Sequence, residues 1–171
     1  MGPIAVRLSQ FFLLITPFLT GLAFVLVSMI PFSVSGGLFV TPAFALMPIY
    51  FWGMYRPDLM PPLAVFGIGL FQDLVTAGPL GLWPAVYLFC YMFLISQRLI
   101  LLSVMAGRTW AGFTIVMGLA AFFAWTIGSA AYGMVLSPLS LLIQALLSIA
   151  IYPLIARVLL FLHTRIQREL G

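Results

Sequence analysis

Charge is what this sequence most lacks. Its 171 residues include seven arginines, no lysine and three acids, so 6% of the chain is charged. A soluble domain of this size carries about a quarter. The chain also has a single cysteine, Cys90, and a single histidine, His163. One cysteine excludes an intramolecular disulfide, a Cys-rich metal site and a redox pair. Hydrolysis by Ser/His/Asp needs a histidine beside its nucleophile, and His163 stands alone at the end of the last apolar run. Paired-carboxylate chemistry needs two acids within a few ångströms, but Asp58 and Asp73 fall at opposite ends of one segment. H-E-x-x-H, Walker A and G-x-G-x-x-G patterns are missing; Gly67 and Gly69 make a G-x-G without the third glycine or a βαβ context. The sequence therefore predicts no enzyme activity, no metal and no cofactor.

What is present is apolar. Hydrophobic residues make up 64% of the chain and the mean hydropathy is +1.25. Runs long enough to cross a bilayer, about 20 residues, recur from end to end. The expected fold class is an all-α polytopic membrane protein, one integral membrane domain over residues 1–171. Six spans are read at about 11–31, 38–55, 59–75, 80–102, 110–135 and 139–162, separated by segments such as PFSVSGG, YRPD, TAGPLG and LSPLS that carry Pro, Gly, Ser or charge. The first apolar run lacks an A-x-A-like cleavage site, so it is expected to be retained as a span. The pI of about 9.7 comes from arginines scattered singly, not from the clustered basic patch of a nucleic-acid binder.

Those arginines set an orientation. With six spans, Arg7, Arg56, Arg98, Arg108, Arg157, Arg165 and Arg168 all fall on one side and none on the other. Positive charge marks the cytoplasmic side, so both termini are expected there. Arg98 and Arg157 lie inside apolar runs. Each is eighteen residues from the start of its run, roughly 27 Å of helix rise, so each reaches the inner interface and can snorkel.

Helix faces carry further expectations. Pro42 and Pro48 predict a bend in the short second span. In the fifth, Gly112, Ala120, Ala124 and Gly128 recur at multiples of four, a small-residue face that admits a close helix. Its partner lies either within the chain or on another protein. Trp52, Trp83 and Trp110 fall near span ends, where interfacial belts form, whereas Trp125 falls mid-span and is expected inside the bundle.

The polar residues that remain gather around the third span. Arg56, Pro57 and Asp58 precede it; Asp58 is placed to cap the next helix, or the loop contacts a partner. Pro61 and Pro62 then fit its first turn. At the far end, FQDLVTAGPLG places Gln72 and Asp73 before a Gly/Pro turn. From Leu59 to Asp73 is only about 21 Å of rise, against a hydrocarbon core of about 30 Å. A helix C-terminus also disfavours an anion, so the carboxyl group needs hydrogen-bond donors, a cation or a proton. If Gly78 and Pro79 begin the fourth span, its free amides face Asp73, and Gly69, one turn earlier, clears room for a neighbouring backbone. Asp73 then pins the hairpin of spans three and four; a partner-docking site or a lined cavity is the other reading.

The stretch YRPDLMPPLAVFGIGLFQDLVTAGPLGLWPAVYL resembles the bacterial rod shape-determining MreD family, specifically its alphaproteobacterial members. The likeness rests on the RPD loop, the G-x-x-x-D helix from Gly69 to Asp73, and the GPLG turn. It is close over residues 55–90 and loose over the remainder. Arg56, Pro57, Asp58, Asp73, Pro79 and Gly81 map onto the recurrent motif, which contains no catalytic residue. The resemblance implies a multi-pass scaffold of the bacterial inner membrane. Such a scaffold binds MreC and works with MreB, the glycan polymerase RodA and its cognate transpeptidase in lateral peptidoglycan synthesis. It also implies the six-helix fold of substrate-binding components of ECF-type vitamin transporters, which supplies the alternative function. The expected partners are these proteins and membrane lipids, with no nucleic acid.

Overall fold

The computed structural model describes the backbone of residues 3–30, 33–34, 38–39, 41–104 and 109–170, and side-chain surroundings over 15–30, 41–103 and 109–164. Arg108 lies outside the described residues, as do the side chains of Arg7, Arg165 and Arg168. The described residues form six α-helices: α1 (Pro3–Val27), α2 (Leu46–Tyr55), α3 (Pro62–Thr76), α4 (Leu82–Val104), α5 (Thr109–Tyr132) and α6 (Pro138–Leu170). A small antiparallel hairpin, β1 (Ser33–Val34) and β2 (Leu38–Phe39), joins α1 to α2 and pairs Ser33 with Phe39 and Val34 with Leu38. A single 3-10 turn, Pro57–Leu59, precedes α3.

Among the described residues, three helices are long and apolar enough to cross a membrane: Leu82–Ser103, Thr109–Tyr132 and Pro138–Thr164. This is a membrane protein, and its outer surface agrees. Leu63, Leu99 and Val135 are each more than three-quarters exposed, a cost in water that hydrocarbon removes.

The second expected span is corrected most. Residues 38–55 do not form one bent helix; α2 has ten residues, about 15 Å. Pro42 lies outside it and Pro48 sits in its first turn, where a missing N–H breaks no helical bond. Nine of the ten residues are buried, so α2 is the core around which the other helices pack. Tyr50 meets Phe113 of α5 and Tyr152 of α6 edge-on at centroid distances of 5.4 and 5.5 Å, and Phe113 stacks on Tyr152 at 4.1 Å. The backbone leading into α2 is not helical, and α6 satisfies it. Gln144 Nε2 donates to the Thr41 carbonyl (2.7 Å) and the Ala43 amide donates to Ser148 Oγ (2.8 Å). Irregular backbone at membrane depth needs such cover.

The bundle has two distinct ends. The α3–α4 and α5–α6 turns share one: a Cβ on Gly78 would lie 3.8 Å from the Tyr132 hydroxyl, and one on Gly128 would meet both Leu136 and Leu82. The α2–α3 loop, the start of α5 and the later part of α6 share the other. There Tyr50 donates to the Thr109 carbonyl, and Trp52 meets the His163 ring at 5.6 Å.

Two expectations about side chains change here. Trp52 is no interfacial anchor; it is 1% exposed and donates to Thr20 Oγ1 at 3.0 Å. Arg98 does more than snorkel, because its Nε donates to the Met54 carbonyl at 2.8 Å and so places a cation at the C-terminus of α2. Trp125 is half-buried and turns its indole N–H to the Leu136 carbonyl.

Candidate functional site

The polar residues of the middle of the chain form two clusters at opposite ends of α3. At the loop end, Arg56 Nε and Nη2 both reach the Asp58 carboxylate, at 3.0 to 3.2 Å. This fork-like pairing spans Pro57 and closes the loop on itself. Asp58 caps no helix with its side chain. Hydrogen bonding from Arg56 holds the Asp58 carboxyl below the usual carboxylate range and raises the guanidinium in turn. Both groups face solvent, so the pair adds little to stability. Beneath it, the Tyr91 hydroxyl of α4 donates to the Met60 carbonyl and ties the loop to the bundle.

At the other end, Asp73 is 1% exposed, and it lies where α3 passes closest to α4. The approach is set by Gly69, where a Cβ would fall 2.6 Å from both N and Cα of Pro84. No flexible side chain is available to move, because the obstacle is backbone. With the helices this close, Asp73 Oδ2 accepts the Gly81 amide at 2.6 Å and Oδ1 the Trp83 amide at 3.1 Å.

The start of α4 explains why a carboxylate from another helix is required. The first donors of a helix have no partner within it. Gly81 occupies the capping position, since its carbonyl accepts the first helical bond, from Ala85, yet it has no side chain to cap with. Leu82 donates to the Pro79 carbonyl, and Pro84 has no N–H. The two amides left over, Gly81 and Trp83, are those Asp73 accepts. Asp73 is an N-cap supplied by α3. Helix α4 thus begins at Leu82, three residues beyond the expected Pro79 start, and Gly78 and Pro79 belong to the turn.

The turn itself holds strained geometry. Ala77 adopts a left-handed conformation (φ 51°) as the C-cap of α3, and both it and Gly78 donate to the Asp73 carbonyl. Gly81 has φ 99°, a region open mainly to glycine. Asp73 therefore ends α3 with its backbone and begins α4 with its side chain.

Gln72 turns the other way and accepts the Tyr87 hydroxyl at 2.5 Å. It also borders a cavity of about 390 Å³, with Ser28, Thr41, Thr76, Trp83 and Gln144 in the same wall. Gln144, Ser148, Tyr87 and Tyr91 are polar positions that the sequence reading passed over. Gln144 and Ser148, one helical turn apart in an apolar run, were the available signal, since such residues join helices within a bilayer.

The small-residue face of α5 turns inward. Gly112, Ala120, Ala124 and Gly128 are all buried among the chain's own helices, and Gly128 admits Leu136 from the α5–α6 turn. Among the described residues there is no group of three or more metal-ligating side chains. Set against protein-family models, curated protein sequences and solved structures, the chain matches none of them significantly.

Proposed function

We propose that this chain is a non-catalytic, six-span scaffold of the bacterial rod-elongation machinery, of the MreD type. In this reading it sits in the inner membrane with both termini cytoplasmic. MreC is its direct partner, and MreB, RodA and the cognate transpeptidase belong to the larger assembly. The observation that carries the proposal is that the motif residues are engaged with one another. Arg56 pairs with Asp58, Gly69 seats Pro84, and Asp73 caps α4 through Gly81. Their polar groups are spent on holding the hairpin of α3 and α4 in shape. On the outside of that hairpin, Leu63, Phe66 and Leu74 stay exposed on α3, an apolar stripe against which a single-span partner helix can lie.

The test is purification from native membranes in mild detergent, with identification of the proteins that co-elute. MreC is the expected companion, and depletion of the chain is expected to round the cells. Rods that persist after full depletion would sink the proposal. The cavity beside Gln72 and Gln144 favours a second reading, a substrate-binding subunit of a vitamin transporter. That reading requires a vitamin-sized ligand in native mass spectra and association with an ATPase module.

A further inference from the structure

At the arginine-bearing end of the bundle, α2, α5 and α6 enclose a second cavity, of about 290 Å³, whose walls include Tyr55, Thr109, Trp110, Tyr152, Arg157 and Leu160. We infer that it is a binding site for the phosphate-bearing headgroup of an anionic phospholipid. Three observations meet there. Arg157 is exposed and has no carboxylate partner among the described residues. Tyr152 is fully buried, and its hydroxyl is the single buried side-chain N or O atom without a hydrogen-bond partner among the described residues. Finally, Thr109 and Trp110 are the first two residues of α5, so the cavity borders a helix N-terminus, whose first amides have no partner within the helix and favour an anion.

The shape suits a lipid better than a soluble anion. Trp110 is 51% and Tyr55 37% exposed, the placement of aromatic residues at a membrane–water boundary. Leu160 continues the wall in apolar atoms, and Leu154, Val158 and Phe161 extend the exposed apolar surface of α6. A phosphodiester can thus pair with Arg157 while its acyl chains lie on α6, and it accepts the Tyr152 hydroxyl, which is closed to solvent in this conformation, once the wall opens over it. Basic pockets between helices on the cytoplasmic side recognise anionic headgroups in this way. The inference does not depend on which complex the chain joins.

The experiment is native mass spectrometry of the full chain released from nanodiscs of phosphatidylglycerol and phosphatidylcholine in equal amounts. Retention of phosphatidylglycerol over phosphatidylcholine is expected. Arg157→Gln should lower that retention by about tenfold, the scale of one charge-assisted hydrogen bond, whereas Arg56→Gln, removing the same charge elsewhere, should leave it within about twofold. Tyr152→Phe should lower retention by roughly two- to tenfold and yet raise the melting temperature in lipid-free detergent, because it removes an unpaired buried hydroxyl. Equal retention of the two lipids, or an Arg157→Gln protein that keeps its phosphatidylglycerol, would overturn the inference. Displacement of the lipid by millimolar inorganic phosphate would overturn it in favour of a soluble phosphate ligand.

Discussion

Two residues decide whether α3 and α4 can meet, and they act by different physics. Asp73 accepts two amides in a site closed to water. Asp73→Asn keeps the size but leaves one acceptor oxygen, and its amide nitrogen faces a donor. A loss of about 1–3 kcal/mol is expected, measured as unfolding in detergent. Asp73→Leu strands both amides and should be the worse of the two; equal, complete loss of function at normal protein levels would point to a charge-specific partner instead. Gly69 acts through space alone. Gly69→Ala drives a methyl into the Pro84 backbone and must push the helices apart, costing about 1–3 kcal/mol or more. Gly67→Ala, two residues away, meets only the Phe18 ring at 3.3 Å, and Gly118→Ala meets nothing within 4 Å. The second of these should stabilise by about 0.5–1 kcal/mol, the entropy glycine otherwise loses in a helix. Unfolding curves that fail to rank Gly69→Ala as the most damaging of the three would refute the close-approach argument.

The hairpin as an element depends on its turn, where TAGPLG must stop one helix and start another within five residues, Ala77 to Gly81. Alanine at position 77 is the exception to the local chemistry, because an αL C-cap is normally glycine. A non-glycine residue there costs about 1–2 kcal/mol. Ala77→Gly should therefore raise stability by about 1 kcal/mol without moving either helix, while Gly81→Ala, at φ 99°, should lower it. Paired unfolding measurements check the opposite signs; a destabilising Ala77→Gly would mean that the Ala77 methyl contributes packing worth more than the strain. This much of the element is readable in sequence, because Gly69, Asp73 and the Gly/Pro turn lie within thirteen residues and helix rise relates them directly. The length of α2 is not readable in the same way. Its non-helical approach is held by Gln144 and Ser148, more than one hundred residues away. Trp52 sits deep in the bundle because Thr20 of α1 supplies its acceptor. Hydropathy registers an apolar run in both cases and is silent on whether it is helix or coil, outer face or core.

At the scale of the molecule, the arrangement to be tested is the proposed crossing number. Among the described residues three helices are long and apolar enough to cross a bilayer, whereas the fifteen residues of α3 amount to about 22 Å, short of a core of about 30 Å. A short helix is accommodated by local thinning of the bilayer or by partners that cover its ends. The spatial pairing of the turns limits the possibilities. Because the α3–α4 and α5–α6 turns lie together, any bilayer placement that threads α4, α5 and α6 leaves Leu80 and Met134 on the same side. Both are well exposed, at 71% and 63%, and Thr164 is exposed near the other end. Cys90 is buried, so Cys90→Ala gives a background for single introduced cysteines with little change at the surface. On it, Leu80→Cys and Met134→Cys are expected to react with an impermeant maleimide added outside intact cells. Thr164→Cys should react only after permeabilisation under the proposed orientation, which follows the arginine distribution. Labelling of Leu80→Cys and Met134→Cys from opposite sides would break the bundle described here. Labelling of all three from the reverse sides would keep the bundle and overturn its orientation, and with it the assignment of Arg157 to the cytoplasmic leaflet.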